Sequence, residues 1–189
     1  PSSAASDVYK RQEENLKDLM GRIRGAYCFV LMNEKTLYAA RDPQGIRPLV
    51  LGRLSNGWVV ASETAALDIC GASFVREVAP GELIAIDEDG LRCEQVLEPA
   101  RKSCVFEYVY LSRPDTNLNG RSVNESRIEM GRELAREHPV DADLVIPTPE
   151  SGTPAAIGYA QESGIPYGQG MVKNAYVCLL YTSPSPRDS

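Results

Sequence analysis

The residues best suited to chemistry lie in the segment TPESGTP, residues 148–154. An apolar run precedes this segment and a helical pattern follows it, which predicts a strand-to-helix loop. In an open parallel sheet, ligands bind beyond the carboxyl ends of the strands, and the N–H groups at a helix start attract anions such as phosphate. Gly152 would let a ligand approach the backbone, and the Ser151 hydroxyl could bind it. Glu150 would oppose a bare phosphate but suits ribose hydroxyls or the water shell of a divalent metal.

Lys173 follows the next apolar segment, so we expect it at the same edge of the sheet as residues 148–154. A lysine at this edge could neutralise a phosphate as a point charge. A second interpretation needs no ligand: Ser151 caps the helix, Glu150 is a loop residue and Lys173 is solvated. The sequence leaves both interpretations open.

Other reactive side chains lack partners at a suggestive spacing. Cys104 precedes an apolar run, where a lone cysteine is by default a buried thiol. The single histidine, His138, has no cysteine or serine partner nearby, and no CxxC pair indicates zinc. The loop RDPQGIR, residues 41–47, combines two arginines and an aspartate. These could fix the loop as an ion pair or contact a substrate directly.

The elements that must position these residues follow two patterns. Before residue 98, short apolar runs alternate with turn signals such as Asn56-Gly57, which predicts mainly antiparallel strands with one or two helices. We expect strands at 26–32, 36–40, 49–52, 58–61, 74–78, 82–86 and 91–96, and helices at 13–20 and, capped by Ser62, at 63–70.

After residue 98 the pattern becomes strand–helix–strand, typical of an α/β domain. The predicted fold class is therefore α+β followed by α/β, in two domains joined near residues 98–112. We expect a buried strand at 105–111, a helix from a Ser122/Glu125 capping box to about residue 137, a buried strand at 144–146, a helix at 154–162 and a strand at 167–172. The inner face of the first of these helices is predicted to carry Ile128, Gly131, Leu134 and Ala135.

Composition excludes several classes of protein. The chain has 189 residues, is 43% hydrophobic and carries a net charge of −6, which argues against a disordered chain and a general nucleic-acid binder. No apolar run approaches the length of a membrane span. Five cysteines, odd in number and irregularly spaced, favour a reducing compartment, and we expect a cytoplasmic protein.

Both ends of the chain look foreign to it. Residues 2–12, SSAASDVYKRQ, and 178–188, CLLYTSPSPRD, resemble in-frame translations of transposon-type sequencing adapters. We therefore expect 1–12 and 178–189 to be artefacts, and residues 13–177 to be an internal fragment of a longer protein.

Four stretches of the sequence resemble those of a known family. ARDPQGIRPLVLG followed by VVASETAALD resembles the class II, or N-terminal-nucleophile, glutamine amidotransferases. CVFEYVYLSRPDTNLNGRSV and ADLVIPTPESGTPAAIGYAQESGIPYGQGMVKNAYV narrow the resemblance to the amidophosphoribosyltransferase family. It implies the C-terminal part of the glutaminase sandwich at 13–100, followed at 101–177 by the first βαβ part of a type I phosphoribosyltransferase domain.

The resemblance also implies an activity. The family hydrolyses glutamine and uses the ammonia to displace pyrophosphate from phosphoribosylpyrophosphate (PRPP), giving 5-phosphoribosylamine in the first step of purine synthesis. It implies Mg²⁺, homo-oligomers, inhibition by purine nucleotides and, in many members, a [4Fe-4S] cluster. By position, Glu150, Ser151, Gly152 and Lys173 would bind PRPP or nucleotide, Ser151 would also be associated with Mg²⁺, and Cys104 would be the first cluster ligand.

The family's N-terminal cysteine nucleophile and its acidic PRPP-binding motif have no counterpart in this sequence. We therefore expect the fragment itself to be inactive. Two alternatives remain. Another class II amidotransferase would need a synthetase or isomerase domain after residue 98, which the SRPD and PESG segments oppose. A non-enzymatic nucleotide-binding regulator would keep the phosphate site without any glutaminase.

Overall fold

A computed structural model describes residues 3–176 of the chain. The chain divides into two compact units, Pro1–Val123 and Asn124–Ser189, and each is described by itself. The division lies later than residue 100, where the resemblance places the end of the glutaminase part. Because compactness does not decide the ancestry of a segment, that domain boundary stays a prediction.

Strands joined by tight turns dominate the first unit, as the apolar alternation predicts. At the first hairpin, the side-chain oxygen of Asn33 accepts the N–H groups of Lys35 and Thr36. The elements are α1 Ser3–Arg22, β1 Cys28–Met32, β2 Leu37–Arg41, β3 Val50–Leu54, β4 Gly57–Ala61, α2 Thr64–Cys70, β5 Ser73–Glu77, β6 Glu82–Asp87, β7 Gly90–Gln95, β8 Asn117–Leu118 and β9 Arg121–Ser122.

Two antiparallel sheets pack face to face in this unit. One has the strand order β1-β2-β6-β7 and the other the order β4-β3-β5. Successive side chains of a strand point to opposite faces. Ala39 and Ile84 therefore meet Leu51 in the core between the sheets, where all three are almost fully buried.

One helix covers the outer face of each sheet. Met20 of α1 packs with Tyr38, a neighbour of the inward-facing Ala39 on β2. Leu67 of α2 packs with Val50 on the other sheet. The layers therefore run α/β/β/α, which is the sandwich that the resemblance implies.

Helix α1 is longer than predicted. It runs over Ser3–Arg22, so residues 3–12 continue the helix expected at 13–20. The hypothesis that 1–12 is an adapter artefact concerns the origin of the segment and stays a prediction. The second such segment, 178–189, lies outside the described residues.

Two local predictions in the first unit are wrong. The expected Ser62 cap is absent: α2 begins at Thr64, with Glu63 in the N-cap position making no side-chain cap hydrogen bond. Residues 105–111 form no strand, because Glu107–Leu111 is a π-helical turn. A short apolar run fits a strand and a buried helix equally, and here the apolar side chains are largely exposed while Glu107 is buried.

In the second unit, two helices cross at glycines. Their bounds are α3 Val123–Glu137 and α4 Thr153–Ser163. A Cβ added at Gly131 would overlap the Ala155 carbonyl, and one added at Gly158 would overlap the Ile128 carbonyl. The absence of side chains at both glycines is what lets the two backbones approach so closely.

The predicted βαβ arrangement of the second unit is reduced to its minimum. Val145, before α4 in the sequence, and Tyr167, after it, form a single parallel bridge. Leu144 and Ile146 are exposed, so the predicted buried strand is wrong in extent. On α3, Ala135 is buried as predicted, but Leu134 is half-exposed and does not belong to the inner face.

The described part of the chain is a mixed α/β structure. No helix within it is long and apolar enough to cross a membrane.

Candidate functional site

The loop that precedes α4 is tightly folded. Gly152 is the N-cap residue of α4, and its N–H donates to the Thr148 carbonyl at 3.1 Å. The Thr153 N–H donates to the Glu150 carbonyl at 3.2 Å. A Cβ at Gly152 would lie 2.9 Å from the Thr148 oxygen, so the close turn favours glycine. Two of the amides expected to face an anion therefore bind within the loop.

The structure brings the two ends of the predicted site together. Lys173 Nζ lies 3.7 Å from Glu150 Oε2, and Ser151 lies half-buried between Glu150 and Gly152 along the loop. Both charged side chains are largely exposed, so water and salt screen the pair and it contributes little stability. Its consequence is electrostatic: Lys173 offsets the Glu150 charge that would otherwise repel a phosphate.

The loop supplies too few ligands for a complete metal site. Among the described residues, no group of three or more His, Cys, Asp or Glu side chains could hold a metal ion. Magnesium usually keeps several waters and binds through one or two carboxylates together with substrate phosphates. The Ser151 hydroxyl and the Glu150 carboxylate fit that supporting role.

Cys104 is a half-buried free thiol. It lines a cavity of about 300 Å³ together with Arg101, Lys102 and Tyr108. A [4Fe-4S] cluster needs four thiolates, and the described residues hold no group of three or more His, Cys, Asp or Glu side chains that could bind a metal. The described residues alone therefore offer no complete cluster site.

The arginine loop at 41–47 has a structural role. The buried Arg41 guanidinium donates to the carbonyls of Arg47, Val78 and Gly45 at 2.9, 2.6 and 2.9 Å. The fully buried Asp42 accepts the N–H groups of Gln44 and Gly45, both at 2.9 Å. Backbone groups thus satisfy both side chains, which supports loop fixation rather than substrate contact, although through backbone hydrogen bonds and not through an Arg41–Asp42 ion pair.

Sequence reasoning missed a cavity of about 530 Å³ beside the π-helical turn. Its lining includes Cys28, Arg47, Glu63, Glu107 and Ser112. Burial raises the pKa of the Cys28 thiol to about 11, so this thiol is protonated at neutral pH. The one available signal was a glutamate inside the apolar run VFEYVYL, because charged residues are almost never buried without a partner.

Comparison with known proteins gives the class of this sandwich first. Residues 3–69 match the family model described as a glutamine amidotransferase domain. Within that class, the chain is 65% identical over 173 residues to the amidophosphoribosyltransferase of Mycobacterium tuberculosis, covering 92% of this chain and 33% of that protein. It is 42% identical over 174 residues to the amidophosphoribosyltransferase of Bacillus subtilis, covering 92% of this chain and 37% of that protein.

Two solved structures share the fold. One, described as the allosteric regulatory enzyme of purine biosynthesis, matches with a TM-score of 0.88 and 42% identity over 93% of this chain and 38% of its own. The glutamine PRPP amidotransferase from B. subtilis complexed with ADP and GMP matches with a TM-score of 0.87 and 42% identity, over 93% of this chain and 39% of its own. The chain is thus homologous to the amidophosphoribosyltransferases over nearly all of its length. It spans about a third of the length of the curated relatives.

Proposed function

We propose that this chain is the part of an amidophosphoribosyltransferase that joins glutamine hydrolysis to phosphoribosyl transfer. The parent enzyme would convert PRPP, glutamine and water into 5-phosphoribosylamine, glutamate and pyrophosphate, the first step of purine synthesis. The observation that supports this best is the 65% identity over 92% of the chain, a share large enough to include most of both compact units.

The residues of the candidate site have complementary roles in this proposal. The Lys173 ammonium neutralises the diphosphate of PRPP, and the Ser151 hydroxyl donates to a phosphate oxygen. The Glu150 carboxylate, which lies 3.7 Å from the Lys173 ammonium, accepts a hydrogen bond from a ribose hydroxyl. The nucleophile that attacks glutamine would come from polypeptide outside this chain.

Cofactors and partners follow from the same proposal. Mg²⁺ would bind mainly through the diphosphate, with Ser151 nearby, and would neutralise charge on the leaving pyrophosphate. A [4Fe-4S] cluster would take one thiolate from Cys104. The parent would be a cytoplasmic homo-oligomer inhibited by purine nucleotides, in line with the B. subtilis structure that is complexed with ADP and GMP.

A chimera tests the proposed function. Residues 13–176 of this chain replace the matching segment of the M. tuberculosis relative, and the chimera is expressed in a bacterial strain that needs purines because it lacks this enzyme. We expect growth without purines and glutamine-dependent formation of phosphoribosylamine. A soluble, folded chimera that binds nucleotide but forms no phosphoribosylamine would overturn the proposal and favour the regulator.

The same chimera tests the candidate site. Lys173→Ala should raise the KM for PRPP about tenfold or more, because the diphosphate loses a point charge. The KM for glutamine should stay unchanged. Lys35→Ala, a change of an exposed lysine on the β1–β2 turn, is the matched control. An unchanged KM for PRPP in the Lys173 variant would exclude this residue from the site.

A further inference from the structure

The carboxylate of Glu107 is unusual because it is buried within a helical turn. Only 5% of its side chain is exposed. The Ser112 hydroxyl donates to Oε2 at 3.1 Å, and the Ser112 N–H donates to the Glu107 carbonyl at 3.0 Å. Arg47 Nη1 lies 2.6 Å from Oε1. Among the described residues Oε1 accepts no directed hydrogen bond, so its contact with Arg47 is one between charges.

The pair is buried on one side only, because the Glu107 carboxylate is 5% exposed whereas Arg47 is 49% exposed. Water around Arg47 screens the attraction, so the pair is a poor device for stability alone. What it supplies is a defined position, because displacing Arg47 leaves the buried Glu107 carboxylate without its charged partner. The Arg47–Glu107 pair therefore resists movement of the helical turn more than an apolar contact would.

The pair joins two parts of the chain that are distant in sequence but belong to the same compact unit. Arg47 follows β2 within residues 3–69, which match the glutamine amidotransferase domain, and Glu107 lies after β7, the last strand of the two sheets. Residues 107–119, here called the linking segment, lie in the chain just before α3. The Arg47–Glu107 pair holds its first residue against the sandwich.

Further hydrogen bonds anchor the rest of the linking segment. Glu63 Oε2 accepts the Thr116 hydroxyl at 2.8 Å, and Thr64 Oγ1 accepts the Asn117 N–H at 2.9 Å. Glu77 Oε1 accepts the Asn119 N–H at 2.7 Å. At these points, side-chain oxygens of the first unit accept hydrogen bonds from the linking segment. At Glu107 the roles are reversed, because the linking segment supplies the buried carboxylate and the sandwich supplies the arginine.

We propose that Arg47 and Glu107 are positioning residues that couple the two half-reactions of the parent enzyme. Their ion pair fixes the linking segment against the glutaminase sandwich, so that ammonia released from glutamine is used for phosphoribosylamine and not lost to water. This inference rests on the proposed function. If the pair is broken, glutamine hydrolysis and phosphoribosyl transfer both remain possible, but less of the ammonia released by the first is used in the second.

The test compares two nitrogen sources in the chimera. Phosphoribosylamine formation is measured with glutamine and, separately, with a saturating ammonium salt, together with glutamate release. For Arg47→Ala and the isosteric Glu107→Gln, we expect the glutamine-dependent rate to fall about tenfold relative to the ammonium-dependent rate while glutamate release continues. Arg47→Lys, which keeps the charge, should recover part of the loss.

Arg92→Ala is the matched control. Arg92 resembles Arg47 in exposure, 50% against 49%, and also pairs with a carboxylate, that of Asp87 at 2.5 Å. It differs in its place: Arg92 lies on β7 and contacts no residue of the linking segment in the described structure. Its ratio of glutamine-dependent to ammonium-dependent rate should equal that of the unaltered chimera. If both rates fall together in the Arg47 and Glu107 variants, or neither falls, the positioning role is excluded.

Measurements on the 189-residue chain separate failure of this inference from failure of the proposed function. Glu107→Gln should speed amide hydrogen exchange in residues 107–112 and leave β6 protected. An inactive unaltered chimera would refute the proposed function, and the coupling role with it. Unchanged exchange in the variant would instead show that the ion pair does not hold the linking segment.

Discussion

At the residue scale, the buried Glu82 carboxylate is held by several hydrogen bonds. Arg76 donates to both carboxylate oxygens of Glu82, at 2.8 and 2.6 Å, and the Ala79 N–H donates to the same carboxylate at 2.7 Å. Burial alone would raise the pKa of Glu82, but these hydrogen bonds outweigh it and hold the pKa below its ordinary value.

Glu82→Gln should therefore destabilise the first unit in a pH-dependent way. A carboxylate with a lowered pKa stabilises the folded state above its ordinary pKa of 4.5, and this contribution is lost as the pH falls through the lower folded value. Because Arg76 is 37% exposed, we expect a loss of only about 1–2 kcal/mol at pH 7. Urea unfolding at pH 7 and pH 3 measures it.

Glu34→Gln provides the comparison for that experiment, since Glu34 lies exposed in the first hairpin turn. Its free energy of unfolding should match that of the unaltered chain at both pH values. A Glu82 variant whose deficit is as large at pH 3 as at pH 7 would show that packing, and not ionisation, accounts for the loss.

At the scale of elements, the hairpins were predictable and the isolated apolar runs were not. Alternating side chains and turn residues such as Asn33 define a hairpin within a dozen residues. Residues 105–111 and 144–146 carry no such alternation, and an apolar run by itself indicates burial without telling a strand from a helix. Their surroundings are set by contacts distant in sequence, as the inward-facing Glu107 shows.

The candidate site divides in the same way. The proximity of Glu150 and Lys173 follows from the rule that ligand sites gather at one edge of a parallel sheet. The internal hydrogen bonds of residues 148–154 could not be inferred, because they depend on the exact path of the loop. Nor could the Arg47–Glu107 pair, whose members are sixty positions apart in the sequence.

The α3–α4 crossing gives a prediction at this scale. Gly158→Ala should destabilise the second unit by about 1–3 kcal/mol, because the added methyl overlaps the Ile128 carbonyl and forces the helices apart. Circular dichroism at 222 nm during urea unfolding follows the loss. Gly21→Ala tests the same substitution on α1, where a Cβ meets nothing within 4 Å, and should leave stability unchanged or slightly higher. Equal behaviour of the two variants would contradict the close crossing.

At the scale of the whole molecule, the question is which residues the fold needs. Leu16 and Met20 of α1, and Ile23 directly after it, pack against the sandwich core in the described structure. Gln12 adds one exposed hydrogen bond, from the Asn33 side chain at 2.7 Å. The described contacts therefore place the anchoring of this helix in its second half.

A chain trimmed to residues 13–177 should consequently keep its fold. We expect its thermal unfolding midpoint to equal that of the 189-residue chain, because the apolar contacts described for α1 remain, and the trimmed residues contribute one exposed hydrogen bond to the described contacts. Differential scanning calorimetry of both chains decides this. A much lower midpoint after trimming would mean that the terminal segments belong to the folded protein, and would contradict the adapter hypothesis.

Arg41 has a consequence for the order in which the first unit folds. Its guanidinium joins carbonyls only four and six residues away to that of Val78, 37 residues further along the chain. Such a contact contributes only after a long loop has closed, whereas the β1–β2 and β3–β4 hairpins close locally. The hairpins should therefore form early and wait for β5 to dock. During synthesis, the interval before that docking is the time in which the interior of the sandwich is open to chaperones and to other unfinished chains.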